Sequence, residues 1–204
     1  MAKRTLNYCR AVVVVHGLSE KIIAEEIKKC LRIPLEIYSK NGGRNSIQIG
    51  SLSAIFNSER TFKSSKKFLE NYYNIEIVKG QPQNFKLFTV IDTDDCDAAT
   101  LQKYQSNTLL SNHWLCPYIV PISNTPSLEH VFLDAGLIDH IFSDSEKRTG
   151  YQKMFTALSK EMNHPEIIKY LYDLTQRQRS SNVKTNISKF FQYCLEWSTE
   201  ITIR

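Results

Sequence analysis

The segment FKLFTVIDTDDCD, residues 85–97, decides how the rest of the chain is read. Residues 87–91 are apolar or β-branched at every position, which is the pattern of a strand buried on both faces. The run passes directly into Asp92, Asp94, Asp95 and Asp97. In an open parallel sheet, ligands bind at the carboxyl ends of the strands. Carboxylates crowded at such an edge repel one another, and a nearby cation relieves the repulsion. Oxygen ligands alone select hard ions, so Mg2+ or Mn2+ is the expected cofactor. Turn chemistry is the competing account: aspartate is common in turns, and Asp97 stands where it can cap the following helix.

Upstream, AVVVV at residues 11–15 is a second buried strand, and HGLSEK follows at 16–21. Gly17 permits a tight turn. Ser19 is expected to cap a helix reaching about Leu31, with Ile22, Ile23, Ile27 and Leu31 on one face. Strand, turn and helix make the front half of a βαβ unit. His16 and Glu20 are four residues apart and can face one point if the helix begins near Leu18. Each also has a plain structural account, Glu20 as a first-turn acid favoured by the helix dipole and His16 as a hydrogen-bonded strand end.

Between these strands, residues 35–39 read as a short strand and KNGGRN (40–45) as a basic turn whose glycines let backbone N–H groups approach a phosphate. The Lys-Ser ending of a P-loop is missing, so it is not a nucleotide cradle. Ser46 is expected to cap a helix to about Asn57. Residues 61–73 interleave Lys63, Lys66 and Lys67 with Phe62, Phe68, Tyr72 and Tyr73. They form either a solvated helix with a packed aromatic side or, with Arg44, a surface that follows a nucleic-acid backbone.

Further strands are expected at 75–78 and 114–122 and a helix at 98–110. Another helix should start near Thr125 with Pro126 in its first turn, which brings Glu129 to the sheet edge. Beyond Asp144 the spacing is helical over 145–158, 164–176 and 183–197, the last opened by Thr185 and Asn186. Alternating strands and helices predict an α/β fold with a doubly wound sheet over residues 1–150, and residues 151–204 as C-terminal helices packed on that core.

Bulk properties narrow the setting. The formal net charge is +5, compatible with a polyanionic partner. The five cysteines (9, 30, 96, 116 and 194) form no C-x-x-C pair and are odd in number, which speaks against a disulfide framework or zinc site and fits reduced thiols in a cytosol. No apolar run is long enough for a signal or a spanning helix, so a cytoplasmic protein with no membrane partner is expected. The basic start MAKR (1–4) reads as a solvated terminus before a phosphate-contacting arm.

A strand ending ahead of G-x-S-E at a helix start, followed about seventy residues later by a strand ending in D-x-D, resembles the TOPRIM domain. With Ser19-Glu20-Lys21 after the glycine turn and Leu128-Glu129 downstream, it is most similar to the TOPRIM nuclease module of the OLD family, a type found in phage-defence proteins. The resemblance covers roughly residues 10–150. It implies a parallel sheet flanked by helices that binds one or two divalent metals and cleaves nucleic acid, DNA or RNA. Carried over by position, Glu20, Asp92 and Asp94 would be metal ligands, Asp97 or Asp95 further candidates, and Glu129 the downstream acid. Lys147 would be the basic residue near the scissile phosphate. His16 stands where the family has its first acid; it can ligate manganese or move a proton but brings no negative charge. The family's ATPase region is not in this sequence, so any energy coupling would need a separate ATPase partner. Three other readings stay open: a catalytically degenerate nucleic-acid-binding or regulatory module, a haloacid-dehalogenase-type phosphatase using D-x-D, and a toxin- or antitoxin-like interaction protein.

Overall fold

The computed structural model describes residues 8–72, 74–177 and 179–202. The basic start at 1–4, Tyr73 and Gln178 lie outside them. β1 (Ala11–Val15), β2 (Leu35–Tyr38), β5 (Lys86–Asp92), β6 (Ile119–Thr125) and β7 (Lys184–Thr185) form one sheet in the order β2-β1-β5-β6-β7. The first four are parallel and β7 is antiparallel to β6. β3 (Ile77–Val78) and β4 (Gln81–Pro82) make a separate hairpin, so the strand expected at 75–78 does not join the sheet.

Strand parity sorts the interior into two layers. Ala11, Val13 and Val15 of β1 and Phe88 and Val90 of β5 point to one face, which is covered by α1 (Leu18–Leu31), α5 (Leu128–Asp134), α6 (Lys147–Leu158), α7 (His164–Thr175) and α8 (Ser188–Thr202). Val12, Val14, Leu87 and Ile91 point to the other, under α2 (Leu52–Ser58), α3 (Ser65–Asn71) and α4 (Ala98–Gln105). Both faces of β1 and β5 are therefore dry, as their unbroken apolar runs require. Ile167, Leu171, Phe190 and Phe191 share one core with Val13 and Phe88, so the C-terminal helices are built onto the sheet.

Several boundaries differ from the sequence reading, each for a local reason. Gly17 rather than Ser19 precedes α1, because Glu20 reaches back to the Gly17 N–H and closes the turn itself. Residues 46–51 are irregular or 3-10, and α2 begins only at Leu52. α4 stops at Gln105. Pro117 lies in a 3-10 turn (Cys116–Tyr118), and β6 then runs past Pro121 to Thr125. Pro121 is tolerated because its edge of β6 pairs with a side chain: the Asn186 amide donates to the Pro121 carbonyl at 3.0 Å and its oxygen accepts from Ser123 N–H at 2.8 Å. Thr185 therefore belongs to β7, and the last helix opens at Ser188. α5 begins after Ser127, whose hydroxyl accepts from the backbone N–H of His130.

Candidate metal centre

Asp92 shares the parity of Phe88 and Val90, so it leaves β5 on the face covered by α1 and α5. α1 follows β1, the neighbour of β5 on one side, and α5 follows β6, its neighbour on the other. Glu20 in the first turn of α1 and Glu129 in the first turn of α5 therefore both arrive at the carboxyl end of β5. One carboxylate oxygen from each of Glu20, Asp92 and Glu129 lies within 4.8 Å of the others, and all three residues are buried.

Each acid is held by neighbours. Glu20 Oε2 accepts from Gly17 N–H at 2.9 Å, while Glu20 Oε1 is buried without a hydrogen-bond partner among the described residues. Asp92 Oδ1 accepts from Leu128 N–H at 3.0 Å and from the Asn124 amide at 3.3 Å. Asn124 is the register partner of Asp92 across the strands, and its own oxygen accepts from the Thr185 hydroxyl at 2.7 Å, which turns its NH2 toward Asp92. Glu129 Oε1 accepts from the Ser19 hydroxyl at 2.6 Å and pairs with Lys147 Nζ at 3.2 Å.

The electrostatics follow from burial and crowding. Burial, then the charges of Glu20 and Glu129, push the Asp92 carboxyl up to about 10. Burial also raises Glu20, with His16 opposing the shift and Glu129 adding to it. For Glu129 burial works the same way, but the Ser19 hydroxyl and the Lys147 ammonium overcome it and hold the carboxyl below its ordinary value. The Lys147 ammonium, despite its own burial, is held above its ordinary value by Glu129 and Asp144. Three buried acids with one lysine among them are short of positive charge, and the cluster could hold a metal ion.

The trio opens into a cleft of about 580 Å3, also lined by His16, Arg44, Asp94, Ile141, Phe142, Asp144 and Lys147. His16 Nδ1 lies 2.9 Å from the Ile47 carbonyl. A carbonyl only accepts, so Nδ1 is the donor in this contact. Asp94 is on the exposed rim, outside the close trio.

No family model, no curated protein and no solved structure matches this chain.

Of the acids expected from the sequence, Glu20, Asp92 and Glu129 converge and Asp94 borders them. Asp97 does not join. It is the N-cap of α4, with Oδ1 accepting from Thr100 N–H at 2.9 Å and Oδ2 from the Thr100 hydroxyl at 2.7 Å, so turn chemistry accounts for it. Asp95 is exposed and is not among the residues lining the cleft. Lys147 and Arg44 both line the cleft, whereas Lys63, Lys66 and Lys67 do not. Those three lie on or beside α3, whose Phe68 packs with Phe62 into the core on the opposite face of the sheet, and Lys67 pairs with Glu70 at 2.6 Å. Sequence reasoning missed Asn124 and Asp144 and gave Ser19 the wrong task. The signal for Asn124 was its place at a strand end beside β5; the signal for Ser19 was its position one residue before Glu20.

The five cysteines are all free, and among the described residues no helix is long and apolar enough to cross a membrane.

Proposed function

We propose that this protein is a divalent-metal-dependent nuclease of TOPRIM type, cutting phosphodiester bonds of nucleic acid at the cleft over Glu20, Asp92 and Glu129. One observation carries the reading: three acids from separate parts of the chain meet at the sheet's carboxyl edge, and one of their oxygens, Glu20 Oε1, is buried with no partner among the described residues. A buried carboxylate oxygen without a partner is costly unless a ligand completes it.

Glu20, Asp92 and Glu129 would hold the ion. Mg2+ or Mn2+ held there would supply electrostatic stabilisation of charge developing in an in-line displacement at phosphorus. Asn124 and the Leu128 N–H fix Asp92 through Oδ1 alone, which leaves Oδ2 for the ion. Ser19 and Lys147 orient Glu129. Lys147, at the cleft wall, neutralises charge on the phosphate. The direct test is incubation of the chain with single- and double-stranded DNA and RNA in Mg2+ and, separately, in Mn2+. Metal-dependent cleavage is expected, and its absence with every substrate and both metals would overturn the reading.

A second reading, a catalytically degenerate nucleic-acid-binding module, is favoured by one feature: Lys147 already neutralises Glu129 and the family's first acid is His16, which leaves less negative charge for an ion. His16→Glu restores an acid at the cleft. On the nuclease reading it tightens Mg2+ binding by about tenfold, the scale on which a ligand's neighbours tune metal affinity. Titration calorimetry showing unchanged affinity would place residue 16 outside the metal's surroundings.

A further inference from the structure

The acidic centre repels the polyanion it is proposed to cut, so the cleft needs cations placed to receive phosphate. Lys147 is engaged by Glu129 at 3.2 Å and by Asp144 at 3.1 Å. Arg44 also lines the cleft and is exposed, and among the described residues its side chain has neither an ion pair nor a hydrogen bond. The two cations come from opposite sides of the centre. Arg44 follows β2, on the β1 side of β5, while Lys147 meets Glu129, which follows β6 on the other side.

The turn that carries Arg44 is pinned against the start of α1. Ile47 N–H donates to the His16 carbonyl at 2.8 Å, and the Ile47 carbonyl receives His16 Nδ1 at 2.9 Å. Lys21 Nζ donates to the Gly42 carbonyl at 3.2 Å. Gly43 has φ +90, and a Cβ there would stand 3.2 Å from Leu18 Cα and 3.3 Å from Leu18 N. Only glycine allows that approach at that conformation. The backbone that presents Arg44 is thus placed by close packing against the same turn that places Glu20.

We propose that Arg44 is a phosphate-binding residue of the cleft, preorganised by the Gly43 contact and acting with Lys147 from the opposite side on the substrate backbone. A guanidinium can hold two non-bridging oxygens of one phosphate at once, which a lysine cannot do. The inference rests on the nucleic-acid reading above and adds to it a specific residue for substrate positioning.

The test measures binding of a fluorescein-labelled oligonucleotide by anisotropy across a salt series, with Ca2+ present, for the wild-type chain and for Arg44→Ala, Arg44→Lys and Gly43→Ala. Arg44→Ala is expected to weaken binding about tenfold or more, the scale of a lost hydrogen bond to a charged group. It should also lower the slope of log affinity against log salt by about 1. Arg44→Lys should restore the slope but not the full affinity. Gly43→Ala keeps every charge yet should lose affinity, because the added methyl displaces the turn. Circular dichroism checks that its fold is intact, and should that variant not fold, the arginine substitutions decide the matter alone. Arg44→Ala binding with wild-type affinity and slope would overturn the proposal. If the wild-type chain binds no oligonucleotide, this inference and the nucleic-acid reading fall together. If it binds but does not cut, cleavage is refuted while the salt slope still decides the role of Arg44.

Discussion

Asp92→Asn is expected to abolish metal-dependent cleavage while leaving the metal-free protein as stable as wild type or more so. The substitution keeps the shape of the side chain. An asparagine oxygen still accepts from Leu128 N–H and from the Asn124 amide, the two bonds that hold Asp92 Oδ1 now. What it removes is a carboxyl that burial and the charges of Glu20 and Glu129 keep protonated far above its ordinary value. Without an ion, holding that proton at neutral pH costs folded-state stability that an uncharged amide does not lose. With an ion the carboxylate would be a ligand, so Mn2+ affinity should fall by about a hundredfold or more, and cleavage with it. Calorimetry of Mn2+ binding, a nuclease assay and a urea melt on the two proteins separate these effects. A mutant that is destabilised and still binds Mn2+ normally would make Asp92 a structural acid. Opposite signs in stability and function are the mark of a site built for a ligand.

How far the chain explains itself can be judged at the same residues. β1 and β5 were legible because unbroken apolar runs of this length have few alternatives to a doubly covered strand, and the position of Asp92 at the end of such a run put it at the sheet's carboxyl edge. Glu20 followed from its place one turn into the helix after β1. Glu129 is different: the helix start after β6 put it at the sheet edge as a first-turn acid, and the resemblance to OLD-type modules added a role in the site. Asp97 shows the limit of counting charges: the sequence offered both a ligand and a helix cap for it, and its bonds to Thr100 decide for the cap. β7 was hidden because two residues carry no period. Its contribution is long-range: Thr185 orients Asn124, and Asn124 holds Asp92. The same holds for His16 and Ile47, joined across thirty-one positions by a hydrogen bond that no local pattern announces.

The raised carboxyls also make the metal-free protein lose stability as pH rises. An unfolded aspartate releases its proton near its ordinary value of 3.8, whereas folded Asp92 keeps it up to about 10. Across that interval the folded chain binds more protons than the unfolded one, so the slope of unfolding free energy against pH is negative. One whole proton is worth about 1.4 kcal/mol per pH unit, and Glu20, raised for the same reasons, adds to the slope in the same direction. Two other groups act elsewhere. The lowered Glu129 carboxyl gives stability that is already complete above its unfolded value of 4.5, and lowered His113 gives stability that grows with pH only up to its unfolded value of 6.5. Raised thiols, Cys9 at about 11 among them, add to the loss only as pH nears the ordinary thiol value of 9.0. Between about pH 7 and about pH 8.5 the slope therefore belongs to Asp92, and the raised Glu20 carboxyl acts in the same direction. Urea melts in EDTA across that range should show stability falling with pH. Saturating Mn2+ should flatten the dependence, because the folded acids then hold the ion in place of protons and match the unfolded chain in proton count. Asp92→Asn in EDTA should remove the part of the slope that belongs to Asp92. A wild-type protein whose stability in EDTA is level or rises over this range would mean that these carboxyls ionise freely, and the case for a cation-seeking centre would lose its electrostatic basis.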